Sequence, residues 1–281
     1  MRIKAVVTDL DGTLLRSDAT LSPYAASVFN GWIERGGAAA YATARSHVSA
    51  HPIVKPIRWR QPLIVYNGAM LLDPADRRVL GGSWLDPAAT GELLALGRAR
   101  GLSPFLFLLD REDTERVLHE QLVREGERAF FASRPGDPRF RELERLTCPE
   151  DCRTLIVTYI GRYEELKALQ DAAKAALDER IYTHLMKDRY IPDHYFLEFS
   201  HPRANKRDGL RLWCELTGID PQEVLVFGDQ INDVGLFELA GTRVAVEGAH
   251  PSLLDLADAI AESNDADGVA RYVARHLLPQ S

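Results

Sequence analysis

The chain reads as an α/β protein: a Rossmann-like, doubly wound parallel sheet with an inserted α+β domain. Three observations predict this. Two short aliphatic runs, Ile3–Thr8 and Val224–Phe227, have no polar face and end abruptly in acid and glycine. Strands buried on both faces look like this, and in open α/β sheets their carboxyl ends carry the ligands. Strand-like and helix-like segments alternate at both ends of the chain, which is the rhythm of βαβ units. The middle of the chain breaks that rhythm.

Taken in order, Ile3–Thr8 is the first strand and Pro23–Arg35 a helix stopped by Gly36-Gly37. Ala38–Ala42 is a second strand, leading into Thr43-Ala44-Arg45-Ser46, and Leu63–Tyr66 a third, ending at Asn67-Gly68. Beyond Trp84 the expected strands are Pro104–Leu109, Val117–Glu120, Leu155–Ile160 and Tyr195–Phe199, with helices over Pro87–Arg100 and Glu164–Leu177. Residues 125–151 lose all period and are expected to be irregular. The first rhythm returns with helix Asp208–Leu216, strand Val224–Phe227, helix Val234–Leu239 and strand Arg243–Val246. Helix Ser252–Ala257, strand Ala259–Ala261 and helix Gly268–Leu277 close the chain. The expected division is a discontinuous core, 1–83 with 200–281, and an insert, 84–199.

Composition narrows the class of function. A chain of 281 residues with 46% hydrophobic and 27% charged residues is an ordinary globular protein, long enough for two domains. Its net charge of −7 argues against a nucleic-acid or anionic-membrane partner. No apolar run approaches the ~20 residues of a membrane span, and the start is too short for a signal peptide. Three cysteines make no disulfide framework. A reduced, cytoplasmic protein is expected.

The chemistry concentrates where the two buried runs end, in Asp9-Leu10-Asp11-Gly12-Thr13 and Gly228-Asp229-Gln230-Ile231-Asn232-Asp233. Two like charges 4 Å apart repel by about 4 kcal/mol at an effective dielectric near 20, so gathered carboxylates call for a cation. Hard oxygen ligands without histidine or cysteine point to Mg2+. Asp9 could attack an electrophile, with Asp11 as general acid and base two residues on. Asn232 or Asp233 could instead merely cap a helix, which would leave Asp229 unexplained. Thr43 could be a helix cap and Lys206 a solvated lysine. Their interest is positional, because a phosphoryl group on Asp9 would need a hydroxyl donor and a fixed cation.

Weaker candidates come with plainer readings. His47 and His51 have zinc-pair spacing without a third ligand and are expected on a solvated helix face. Cys148 and Cys152 lack further ligands. His184, Lys187 and Arg189 form a small basic group that could meet an anion or be an ordinary polar edge.

Asp9-Leu10-Asp11-Gly12-Thr13, Thr43 in Ala-Thr-Ala-Arg, Lys206 and Gly228-Asp229-x-x-Asn232-Asp233 together resemble the four motifs of the haloacid dehalogenase superfamily of phosphohydrolases. Tyr66-Asn67-Gly68-Ala69 and Asn264-Asp265-x-x-Gly268-Val269-Ala270 are similar to its Cof-type branch, whose insert is a C2-type cap. The resemblance implies a Mg2+-dependent phosphatase acting on a small phosphorylated metabolite such as a sugar phosphate, flavin mononucleotide or pyridoxal phosphate, as monomer or homodimer. Asp9 would be the nucleophile that forms an aspartyl-phosphate, and Asp11 the acid/base. Thr43, Lys206 and Asn67 would serve the phosphate. Asp9, Asp11 (through its carbonyl), Asp229 and Asp233 would serve the metal, with Gly12, Thr13 and Asn232 in support. The cap would close over the site. Ala44 stands where the family usually has glycine, which puts the local loop geometry in question, and Gln230 replaces a commoner small residue. A phosphomutase would share these motifs, and a non-catalytic metabolite-binding module would share the fold.

Overall fold

In the computed structural model, residues 3–188 and 191–278 are described. The chain divides into two compact units, Met1–Gly82 with Arg203–Ser281, and Ser83–Pro202.

The first unit opens with β1 (Ala5–Thr8), α1 (Pro23–Glu34), β2 (Ala38–Tyr41), α2 (His47–Val54) and β3 (Leu63–Val65), then β4 (Met70–Leu72) and β5 (Val79–Gly82). The second unit holds α3 (Pro87–Arg98), β6 (Phe105–Leu109), β7 (Glu115–His119), α4 (Glu125–Ala132), β8 (Phe140–Glu142), β9 (Arg153–Gly161), α5 (Tyr163–Leu177), β10 (Tyr182–Lys187) and β11 (Tyr195–Ser200). The first unit resumes with α6 (Lys206–Thr217), β12 (Val224–Gly228), α7 (Val234–Leu239), β13 (Thr242–Val246), α8 (Pro251–Leu254), β14 (Ala259–Ala261) and α9 (Gly268–Leu277).

The sheet that positions the candidate site runs β14-β13-β12-β1-β2, with every neighbouring pair parallel. Every side chain of β1, β2 and β12 is buried, which is why these runs show no alternation. Val7, Ala40, Ile64, Leu210, Trp213, Val226 and Phe237 share one core cluster. Each fully buried large aliphatic or aromatic side chain contributes roughly 1.5–3 kcal/mol. Register is decisive for function. Thr8 lies opposite Phe227, and the Asp9 amide donates to the Phe227 carbonyl at 3.0 Å. The two acidic signatures therefore leave the sheet side by side.

The second unit is a six-stranded sheet, β10-β11-β9-β6-β7-β8, antiparallel except for the β7–β8 pair. Helices α3 and α5 cover one face, where Leu93, Leu94, Leu166 and Leu169 pack with Leu106, Val157, Tyr159 and Phe199. The stretch 125–151 is not wholly irregular, for it contains α4 and β8. Only Gly126, Glu127 and Phe130 of α4 are buried, too few for a visible period. What holds it is tertiary: the Phe130 ring lies 4.7 Å from that of Phe105 and 6.4 Å from that of Phe140. Strands β4, β5 and β10 are additional to those the sequence predicts; β5 carries two glycines, and no residue of β10 is fully buried. His184 and Lys187 sit on this edge strand, while Arg189 lies outside the described residues. Among the described residues no helix is long and apolar enough to cross a membrane.

Candidate active site

The loop after β1 turns at once. The Thr13 amide donates to the Leu10 carbonyl at 3.3 Å, and Gly12 adopts a φ of +79°. A side chain there would fail twice, since left-handed backbone favours glycine and a Cβ would stand 2.4 Å from Asp229 Oδ2. Gly12 thus lets the first signature lie against the second. Thr13 Oγ1 donates to Asp229 Oδ1 at 2.8 Å and orients that carboxylate.

The loop after β12 closes on Asp233. Its Oδ2 accepts the amides of Asp229 and Gln230, each at 3.1 Å, at the start of a single 3-10 turn. Its Oδ1 accepts from Lys206 Nζ at 2.5 Å. Capping and site-building are therefore both done by one carboxylate. Gln230 donates its amide to Asp229 Oδ2 at 3.2 Å.

Lys206 is the first residue of α6 and its side chain is 0% exposed, so it is not a solvated lysine. Nζ donates to Asp9 Oδ1 and to Asp233 Oδ1, both at 2.5 Å. Its position follows from the turn after β3. Tyr66, Asn67 and Gly68 all have positive φ, and a Cβ on Gly68 would stand 2.1 Å from the Asn205 carbonyl oxygen. The turn's backbone thus lies directly on the start of α6. Asn232 Nδ2 donates to Asn67 Oδ1 at 3.2 Å, tying this turn to the Asp233 loop.

Asp9, Asp229 and Asp233, all buried, bring ligand oxygens within 4.8 Å of one another. Burial disfavours the ionised form of Asp9 and holds its carboxyl well above the usual range, with Asp233 and Asp229 adding to the rise against the pull of Lys206. Burial raises Asp229 as well. Burial opposes the charge on Lys206, but Asp233 and Asp9 outweigh it and keep the ammonium protonated. With all three carboxylates ionised, the one ammonium would leave two negative charges uncompensated. A divalent cation held by hard oxygens matches both that charge and that donor set.

Asp11 stands apart from this group. Its side chain is 49% exposed, and both of its oxygens accept from the Arg45 guanidinium, Oδ2 from Nε at 2.7 Å and Oδ1 at 2.5 Å. The sequence motifs assign Arg45 of the Ala-Thr-Ala-Arg run no role. A planar fork two residues after the motif threonine was the signal that could have pointed to a carboxylate partner. Thr43 is buried; its Oγ1 accepts the Arg45 amide at 3.1 Å and its carbonyl accepts the Asn67 amide at 2.8 Å. Ala44 is exposed and is not among the positive-φ residues, so the freedom of glycine is not needed there.

His47 departs from expectation. It is buried at the start of α2, its ring 5.0 Å from that of His51, and its Nε2 is buried without a partner. Burial, then His51 and Arg77, push it down from 6.5 to about 4. The folded state thus binds fewer protons than the unfolded chain between these values. Stability is full above pH 6.5 and declines as pH falls toward 4. Between pH 7 and pH 5 this one group should remove about 2 kcal/mol, and His47→Gln should abolish that part of the decline, as urea unfolding at the two pH values would show.

Parallel strands that deliver gathered carboxylates to one edge, with a lysine from the start of α6 buried among them, define an α/β core with an acidic centre. The chain belongs to the haloacid dehalogenase-like hydrolases, whose family model matches residues 6–273. A pyridoxal phosphate phosphatase of Escherichia coli is 24% identical over 278 residues, covering 99% of this chain and 100% of the relative. A 5-amino-6-(5-phospho-D-ribitylamino)uracil phosphatase of Bacillus subtilis is 23% identical over 282 residues, covering 97% of each. Among solved structures, a haloacid dehalogenase-like hydrolase from Bacteroides thetaiotaomicron superposes with a TM-score of 0.80 at 24% identity, covering 98% of this chain and 99% of that one. That likeness establishes the fold. Family and relatives together make the chain a hydrolase of phosphatase type.

Proposed function

We propose that the chain is a Mg2+-dependent phosphomonoesterase that works on a small phosphorylated metabolite through an aspartyl-phosphate. The observation that carries this reading is the convergence of Asp9 and Asp233 on one buried ammonium, with Asp229 beside them. Asp9, Asp229 and Asp233 would hold Mg2+, together with the Asp11 carbonyl. The ion would neutralise phosphoryl oxygens as charge develops in the transition state.

The chain's own groups divide the remaining work. Lys206 Nζ and Thr43 Oγ1 would donate to phosphoryl oxygens, and Asn67 would line the same pocket. Lys206 already engages Oδ1 of Asp9, so attack on phosphorus falls to Oδ2. The P–O bond to the alcohol breaks, and Asp11 supplies the proton that the alcohol leaves with. Asp11 then takes a proton from water as the water attacks the aspartyl-phosphate, releasing inorganic phosphate and restoring Asp9. For either step Asp11 must exchange at least part of the Arg45 fork for the reacting oxygen. The relatives named as phosphatases of pyridoxal phosphate and of a phosphorylated ribitylaminouracil support a small metabolite as substrate.

The test is release of inorganic phosphate from a panel of phosphorylated metabolites, with Mg2+ or with EDTA. Turnover is expected with Mg2+, at least about a thousandfold above the EDTA rate, since a metal supplies several kcal/mol of charge stabilisation. Isomerised phosphate ester in place of free phosphate would show a phosphomutase. Saturable binding without turnover would show a binding module.

A further inference from the structure

The late motif Asn264-Asp265-Ala266-Asp267-Gly268 has no place in the chemistry above, yet its polar side chains all reach into one short segment. Asn264 Nδ2 donates to the Leu15 carbonyl at 2.9 Å. Asp265 accepts the Ser17 amide on Oδ1 at 2.9 Å and the Ser17 hydroxyl on Oδ2 at 2.7 Å. Asp267 Oδ2 accepts from the Arg16 guanidinium at 2.9 Å. Three consecutive residues, Leu15 to Ser17, are thus gripped by side chains about 250 positions away in sequence.

The gripping loop is itself fixed by its own backbone hydrogen bonds. Ser263 and Asn264 carbonyls accept the amides of Ala266, Asp267 and Gly268 at 3.0–3.1 Å. Asp267 sits at φ +57°, and at Gly268 a Cβ would stand 1.7 Å from the Glu262 carbonyl oxygen. Such a close approach explains the glycine, and the turn fixes where the three polar side chains point.

What the grip holds is the far end of the loop that carries Asp11. Leu15 and Asp11 form an isolated parallel bridge, and the Leu15 amide donates to the Leu10 carbonyl at 2.8 Å. Movement of Leu15 therefore moves the backbone of Asp11. Asp9 is held independently, by the β1–β12 register and by Lys206.

Building on the phosphomonoesterase reading, we propose that Asn264, Asp265 and Asp267 are positioning residues, which clamp Leu15, Arg16 and Ser17 so that Asp11 stands where the leaving oxygen and the attacking water need it. The clamp serves proton transfer by Asp11, and nucleophilic attack by Asp9, which β12 and Lys206 hold, depends on it far less. General acid–base groups contribute about 10²–10⁴-fold, and misplacement by about 1 Å costs on the order of 10²-fold.

The experiment compares kcat/KM for an alkyl phosphate and for 2,4-dinitrophenyl phosphate, whose leaving oxygen needs no proton. Asp265→Ala is expected to lower the alkyl value by about 30- to 100-fold and the dinitrophenyl value by less than about threefold. In an Asp11→Asn background, Asp265→Ala should bring no further loss with the alkyl ester, since the group it positions is gone. Ser17→Ala removes a single hydroxyl, keeps the backbone contact to Asp265, and should show a smaller loss of the same selectivity even if Asp265→Ala folds poorly. Equal loss with both esters, or additive loss in the Asp11→Asn background, would mean a plain structural tether and overturn the inference. Wild-type protein that hydrolyses neither ester would overturn the phosphomonoesterase reading, and this inference with it.

Discussion

Asp9→Asn is expected to lower phosphate release by ~10⁴-fold or more, while leaving the thermal midpoint unchanged or raised. The activity loss follows from chemistry, because a neutral amide is no nucleophile toward phosphorus and cannot form the acyl phosphate. The stability direction follows from electrostatics. Burial, with Asp233 and Asp229 nearby, already disfavours the ionised Asp9 carboxylate. Asparagine keeps the shape and an acceptor for Lys206 while removing that charge. A site that gains stability when this carboxylate is neutralised would be one arranged for function at some cost to folding. Phosphate release and a melting curve on the same preparation check both halves. Retained turnover would remove Asp9 from the role of nucleophile, and a clear drop in the midpoint would mean that the Asp9–Lys206 pair contributes more than its burial costs.

Lys206→Met should strongly destabilise the first unit. The ammonium is fully buried and is the contact through which Asp9 and Asp233 tolerate each other. Breaking a buried pair by removing one partner costs about 3–5 kcal/mol, because the other charge stays behind without compensation. For a chain of this size that is a midpoint lowered on the order of 10 °C. Turnover should fall with it, since on the proposed reading the phosphoryl oxygens would lose a fixed cation. The double variant Asp9→Asn/Lys206→Met separates loss of packing from loss of charge. If uncompensated charge is the cause, Lys206→Met should cost much less in the Asp9→Asn background than in wild type. Equal cost in both backgrounds would show that the loss comes from the stranded Asp233 or from the aliphatic stem, rather than from Asp9.

The parts of the fold that were legible are those with a strong one-dimensional signature. β1 and β12 are four- and five-residue runs buried on every side, and each is closed by an acid or a glycine. α1 announces itself by Ser22 and Pro23 at its start. The unread elements lack such marks. α4 buries three of eight residues, β8 one of three, and β10 forms the edge of its sheet with no fully buried residue. Their existence depends on what they pack against, above all the ring cluster of Phe105, Phe130 and Phe140. His47 departs from the expected solvated face for a related reason. Two histidines spaced i,i+4 on a short helix look solvated until the helix is seated against Tyr41.

The same division runs through the candidate site. By itself the sequence determined the sheet, the two acidic strand ends and the family to which the chain belongs, because burial on both faces and the turn chemistry of glycine and aspartate are local and leave local traces. Only the tertiary structure decided that Lys206 lies between Asp9 and Asp233, that Asp11 turns away to Arg45, and that Asn264, Asp265 and Asp267 grip the loop after the first motif. These contacts join residues 27 to 251 positions apart. They are set by strand register and by the close backbone approaches at Gly12, Gly68 and Gly268, and a pairing that depends on two distant backbones meeting leaves no mark on either stretch read alone.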